Sequence, residues 1–192
     1  VADGVATISV TAGAVKAVCQ VTVQTPAREW AVGDYYEVGS VKGVVVWVDE
    51  SKLKGKIISL DETVSVWSTG NKYTGAQSTT DGKGNTAKVK ALDNELTSFP
   101  AFKWCVDKGE GWYLPAIDEV SYFLLAKDTV NPTLKANGGQ EIDNYYWSSS
   151  ECEEGNAETS AFCALVYGSI TKYSDAKTSP EDATLVRAMY EF

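Results

Sequence analysis

The chain has 192 residues, enough for one full domain with a sizeable core and a smaller attached piece. Hydrophobic residues make up 44% and charged ones 22%, an ordinary globular composition that excludes wholesale disorder. The net charge of −9 comes from 26 acidic residues spread along the chain against 17 scattered Lys and Arg, so no basic face is expected and nucleic acid is excluded as a partner.

Histidine is absent, which removes Ser-His-Asp triads, Cys-His pairs and histidine metal ligands. Acid and base work would fall to carboxylates, Lys, Tyr or Cys. No apolar run approaches the roughly 18 to 20 residues of a membrane-spanning helix, so no membrane insertion is expected. The opening VADGVATISV lacks the charged start and apolar centre of a signal peptide and reads as mid-strand. The sequence is therefore expected to be the C-terminal piece of a longer protein whose export signal and anchor lie upstream.

Val5 to Val10 and Val18 to Val23 alternate apolar and polar residues around Thr11-Ala12-Gly13-Ala14, which predicts a β-hairpin. Only two strands are present there, too few for a sandwich. Pro26 and Gly33 bracket a linker. Val41 to Val48 and Gly55 to Leu60 read as buried strands rich in β-branched residues, with Asp49-Glu50-Ser51 starting the turn between them. Ser68 to Asn85, rich in Gly, Ser, Thr and Asn, reads as a long surface loop of the kind that often carries function.

Helical signals follow. Thr86 to Leu92 predicts a short helix. Ser98-Phe99-Pro100 starts a second, with Phe99, Phe102, Cys105 and Val106 on one face and Gly109 ending it. Pro115 opens a third, with Asp118 and Glu119 in its first turn and Ile117, Val120, Phe123 and Leu124 as its inward stripe. A further turn or two is expected from Asn131 to Ala136. Short strands return at Tyr145 to Ser150, Ala161 to Tyr167, Ile170 to Tyr173 and Leu185 to Tyr190, which describes an α+β domain. The helix stripes and the returning terminal strand are expected to close a single mixed core.

Asp118 and Glu119 are adjacent on a helix and point in different directions, so they do not make the acid/base pair of a glycosidase. Trp112 and Leu114 are expected in the core. Along Tyr145 to Glu151, Tyr145, Trp147 and Ser149 should face one way and Tyr146, Ser148 and Ser150 the other, with Trp147 in the core. The loop from Glu151 to Glu158 places Glu151, Glu153, Glu154, Asn156 and Glu158 together. Hard cations favour such oxygens, but the spacing is not that of an EF-hand, and a solvated acidic loop is the expected reading; no metal site and no cofactor are assigned. Four cysteines allow three full pairings. Cys19 and Cys105 read as buried thiols, whereas Cys152 and Cys163 flank a ten-residue loop and are open to being bonded or free. Arg187 is expected to form an internal ion pair with a carboxylate.

Three phrases, GWYLPAIDEV (Gly111 to Val120), YYWSSSE (Tyr145 to Glu151) and LVRAMYEF (Leu185 to Phe192), together resemble a C-type-lectin-like domain. This variety is found at the C-terminus of bacterial surface proteins, including collagen-like ones, and is distantly related to the formylglycine-generating enzyme fold. The phrase GVATISVTAGAVKAVCQVTV resembles the closing hairpin of a group 2 bacterial immunoglobulin-like domain. The resemblance implies three parts: a truncated immunoglobulin-like hairpin at 1–25, a linker at 26–34, and a C-type-lectin-like domain at 35–192 with mixed sheets, two or three helices and its two ends paired in one sheet.

The calcium signatures of animal lectins, Glu-Pro-Asn or Gln-Pro-Asp followed by Trp-Asn-Asp, do not occur, so calcium-dependent sugar binding in their manner is not implied. Neither Cys152 nor Cys163 sits in the C-terminal context of the reactive cysteines of formylglycine-generating enzymes. The resemblance implies a non-catalytic, exported, extracellular or cell-surface module for adhesion or recognition of a glycan or a host or bacterial surface protein. Its contact surface is expected on the loop side, at Trp67, Tyr73, Asp143, Asn144, Glu153, Glu154 and Asn156. Two rivals are a structural subunit of a pilus or surface layer and an enzyme of the formylglycine-generating type.

Overall fold

The computed structural model describes residues 4–23, 27–143, 145–153, 155–179 and 184–192. The first element is the expected hairpin, β1 (Gly4–Ala12) with β2 (Val15–Val23), longer at the turn than the sequence suggested, by two residues in β1 and three in β2. Ala12 pairs with Val15, leaving a two-residue turn in which Gly13 takes φ +61, a conformation that costs glycine nothing. The register puts Ala6, Ile8, Val10, Ala12, Val15, Ala17, Cys19 and Val21 on one face and mostly Thr, Ser, Lys and Gln on the other. Both faces are exposed along Gly4 to Thr22. Cys19, expected to be buried, is therefore an exposed thiol: the hairpin forms a sheet of its own and lays its apolar face on no described residue.

The remainder is α+β, built on two five-stranded sheets. One has the order β3 (Tyr35–Val38), β4 (Val41–Val48), β5 (Gly55–Ile58), β12 (Met189–Glu191), β7 (Trp112–Tyr113). The other has the order β10 (Ser169–Ala176), β9 (Ser160–Tyr167), β8 (Tyr146–Glu151), β11 (Leu185–Val186), β6 (Thr63–Val64). Short β3, β6 and β7 escaped the sequence reading because two- to four-residue strands carry too little alternation to register. The single terminal strand expected from Leu185 to Tyr190 is two strands. Its chain breaks at Arg187-Ala188 and crosses from one sheet to the other, with Ser59 N–H donating to Ala188 O at 2.9 Å and Ala188 N–H to Ser59 Oγ at 3.2 Å. The last strand pairs with early β5, so the two ends of the 35–192 segment meet in one sheet.

Four helices flank the sheets. α1 (Gly82–Leu92) begins four residues earlier than predicted, because Asp81 caps it by accepting from Gly84 N–H at 2.7 Å and outweighs the poor helix propensity of Gly82 and Gly84. α2 (Pro100–Val106) starts at its proline after Phe99, as expected, and α3 (Ile117–Leu125) buries the predicted stripe of Ile117, Val120, Phe123 and Leu124. α4 (Lys127–Ala136) is longer than predicted: it contains Pro132, which from sequence reads as a start. Its end is closed by Gly139 N–H donating to Leu134 O at 2.8 Å.

In place of one mixed core there are two, on opposite faces of the same strands. Val45, Ile57, Trp147, Cys163 and Ala188 pack with Val89 of α1, Phe102 and Cys105 of α2, and Phe99 just before α2. Their neighbours Val44, Ile58, Tyr146, Ala164 and Met189 pack with α3 and with Val130 and Leu134 of α4. Strands covered on both faces read as continuous apolar runs, which is why Val44-Val45-Val46 shows no alternation. Among the described residues no helix is long and apolar enough to cross a membrane.

Candidate functional site

The segment between β6 and α1 reaches the core only through Trp67 and Ala76, and buried charge fixes the rest of it and the loop between β8 and β9. Glu151 and Lys177 form an ion pair with both side chains fully buried. The Glu151 carboxylate also accepts from Thr74 N–H and Gly75 N–H, each at 2.9 Å, and its backbone N–H donates to Ala76 O at 2.7 Å. Lys177 Nζ donates to Lys72 O at 2.8 Å and Ala157 O at 2.6 Å besides Glu151, so all three of its protons have acceptors. It lies 4.4 Å from the centroid of the Trp67 ring. Burial pushes its pKa below the ordinary lysine value while Glu151 pulls the other way.

Two further pairs work alike. Glu119 holds Lys56 and Tyr113 OH, accepts from Ala116 N–H at 2.8 Å at the start of α3, and accepts from Gly82 N–H at 3.0 Å at the start of α1. It joins two helix N-termini, where a carboxylate is favoured by both dipoles. Arg187 is fully buried and forms the expected internal pair: it binds Glu62 and donates to Ser59 O at 3.0 Å and Gln140 O at 2.9 Å. Tyr146 OH donates to Glu62 Oε2 at 2.6 Å, and burial raises its pKa above the ordinary tyrosine value.

On the surface that the Glu151–Lys177 pair supports there are two depressions. A cleft of about 550 Å3 has an apolar floor of Ile117, Cys152 and Phe162 and a polar rim of Gln77, Thr79, Glu153 and Lys172. Lys172 is ion-paired with Asp118. Burial opposes ionisation of Asp118, but the hydrogen bonds from Lys172 and Thr79 and the lysine charge hold its carboxyl below the usual range. Beside it a groove of about 320 Å3 is lined by Tyr73, Gly155, Ala157 and Glu158, and Lys72 N–H donates to Glu158 O at 3.0 Å across the two loops.

The seven residues expected to form the contact surface do not all come together. Tyr73 is 55% exposed on the groove, Glu153 is exposed on the cleft rim, and Asn156 is exposed in the loop between them. Trp67 is a correction: it is fully buried, with edge contacts to Phe99 and Phe102 and its Nε1–H donating to Ser148 O at 2.8 Å. A tryptophan at the edge of an irregular segment reads as exposed from sequence, but here it anchors that segment in the core. Asp143 is exposed but precedes β8, whereas Glu153 and Asn156 follow it. Six strand residues at ~3.3 Å each separate the two ends by roughly 20 Å, so Asp143 belongs to another part of the surface. Asn144 and Glu154 lie outside the described residues. Gln77, Thr79 and Lys172 were missed, since only the tertiary fold brings a loop, a helix start and a strand to one rim.

Trp147, Trp112 and Leu114 are core residues as expected. Among the described residues no three acidic or cysteine side chains are grouped to hold a metal ion. All four cysteines are free thiols. Cys152 N–H donates to Ser160 O and Cys163 pairs in register with Trp147, so the two cysteines do not stand opposite each other. Burial pushes Cys163 up to about 12 and raises Cys152 and Cys105 as well, which disfavours the thiolate. No protein-family model matches the chain, and comparison with the curated proteins found no match.

Proposed function

We infer that residues 35–192 form a C-type-lectin-like recognition module of an exported surface protein, non-catalytic, that binds a glycan or a surface protein through the loop face. The observation that carries this reading is the segment from Ser65 to Asp81. It has no helix or strand, yet it is fixed from beneath by the buried Glu151–Lys177 pair and presents a cleft with an apolar floor and polar rim. Concave, largely preformed surfaces of this size with a few convergent polar groups suit ligand recognition. The pairing of β12 with β5, which closes the two ends of the segment in one sheet, supports the same fold reading.

The test is an array of glycans and matrix proteins probed with the intact chain, with and without a calcium chelator, alongside a Tyr73→Ala, Glu153→Ala, Asn156→Ala variant. The expected result is at least one ligand whose binding the variant loses. If no ligand found on the array loses binding in the variant, the assignment of the loop face is refuted. One observation favours a structural subunit instead, the uncovered apolar face of the β1–β2 hairpin. That reading requires the intact chain to associate as its concentration is raised in sedimentation.

A further inference from the structure

On the outer side of α1 lies a second groove, of about 440 Å3, remote in composition from the loop-face cleft. One wall is the α1 face carrying Lys83, Ala87 and Lys90, and the other is formed by Val106, Glu110 and Trp112. Positions 83, 87 and 90 fall on one helical face, and seven residues at ~1.5 Å per residue set the two lysines about 10 Å apart along the groove. α1 holds three lysines and no acidic residue in eleven positions, in a chain whose net charge is −9.

Lys42, Lys52, Lys56, Lys103, Lys108, Lys135, Lys172, Lys177 and Arg187 are each bound to a carboxylate. Lys83 and Lys90 are exposed and form no ion pair or hydrogen bond through their ammonium groups with any described residue. The third, Lys88, donates to Gly75 O at 2.9 Å. Lys16, Lys54, Lys72 and Lys127 also stand outside ion pairs with described residues, but none of them lines this groove. The two free charges of α1 thus stand over an apolar-floored groove, and Glu110 offsets only one of them.

We propose that this groove binds an anionic polysaccharide, its acidic groups paired with Lys83 and Lys90 and the apolar faces of its sugar rings lying along Ala87, Val106 and the accessible edge of Trp112. Lysine acts as a point charge and does not select between carboxylate and sulfate, so the shared chemistry is a linear glycan with repeated anionic groups. A polynucleotide carries repeated negative charge of the same kind, so charge alone does not separate it from an acidic glycan, and single-stranded DNA is the counter-probe of the test. The site is separate from the loop face, and its test does not depend on that reading.

The experiment measures binding of the intact chain, at low and physiological salt, to a sulfated glycosaminoglycan, a polyuronate, a neutral glucan and single-stranded DNA. Each is repeated with K83A/K90A, with E110Q, and with K16A/K54A as a control for loss of exposed positive charge elsewhere. The expected result is binding of one or both anionic glycans and not of the glucan, weakened about tenfold or more by K83A/K90A, strengthened by E110Q and by lower salt, and unchanged in K16A/K54A. Preference between the sulfated and carboxylated probes identifies the source of the acidic groups. Failure of both anionic glycans to bind, equal loss in K16A/K54A, or DNA binding as tight as the glycans would overturn the proposal.

Discussion

Replacing Lys177 with Met keeps much of the side-chain volume and removes the charge. It leaves the Glu151 carboxylate buried without its cation, and Lys72 O and Ala157 O without their donor. Stranding one partner of a buried ion pair costs about 3–5 kcal/mol. The two lost carbonyl hydrogen bonds are part of the same event, so the terms are not summed, and about 4 kcal/mol is expected. That is a large part of the 5–15 kcal/mol that typically separates folded from unfolded states. For a chain of this size it lowers Tm by about 8–16 °C. Urea denaturation reads the total, and amide exchange at residues 72–77 reads its location, since Thr74, Gly75 and Ala76 all bond to Glu151. The double variant K177M/E151Q removes the stranded charge and should recover about half of the loss. A K177M cost below about 1 kcal/mol, with exchange at 72–77 unchanged, would show that the pair does not fix the loop and would remove the support beneath the proposed ligand face.

Gly82→Ala tests the junction of two helix starts. A Cβ at this position would stand 2.5 Å from Ala116 N and 2.6 Å from Leu114 O, both backbone atoms, so the variant should lose about 2 kcal/mol or more in urea denaturation despite the better helix propensity of alanine. The buried Cys163 thiol, ordinarily near 9.0 and held at about 12, makes the fold alkali-sensitive. Its contribution is complete below pH 9 and is lost as the pH rises toward 12, because the unfolded thiol ionises first, at up to about 1.4 kcal/mol per pH unit. Denaturation at pH 8 and pH 10 should show the drop and a shallower one in Cys163→Ala; equal slopes in the two proteins would refute this assignment.

Patterns of local origin were legible in the sequence. The hairpin alternation, the α2 and α3 stripes, the proline at the start of α2 and the burial of Trp147 follow from which residues repeat at helical or strand spacing, a property each segment carries alone. The internal pairing of Arg187 was also legible, because a lone arginine in an apolar terminal strand has to find a carboxylate when it is buried. Its partner, Glu62, lies 125 residues earlier and was not. The same distance in sequence hid the rest. That Trp67 turns inward depends on Lys177 and Ser148, and that Lys172 and Gln77 line one cleft depends on the order of the strands. That the terminal run splits into β11 and β12 depends on two sheets lying where one chain can serve both. A sequence fixes the preference of each segment for burial or water, but which segments share a buried charge is settled only when the fold brings them within hydrogen-bonding reach.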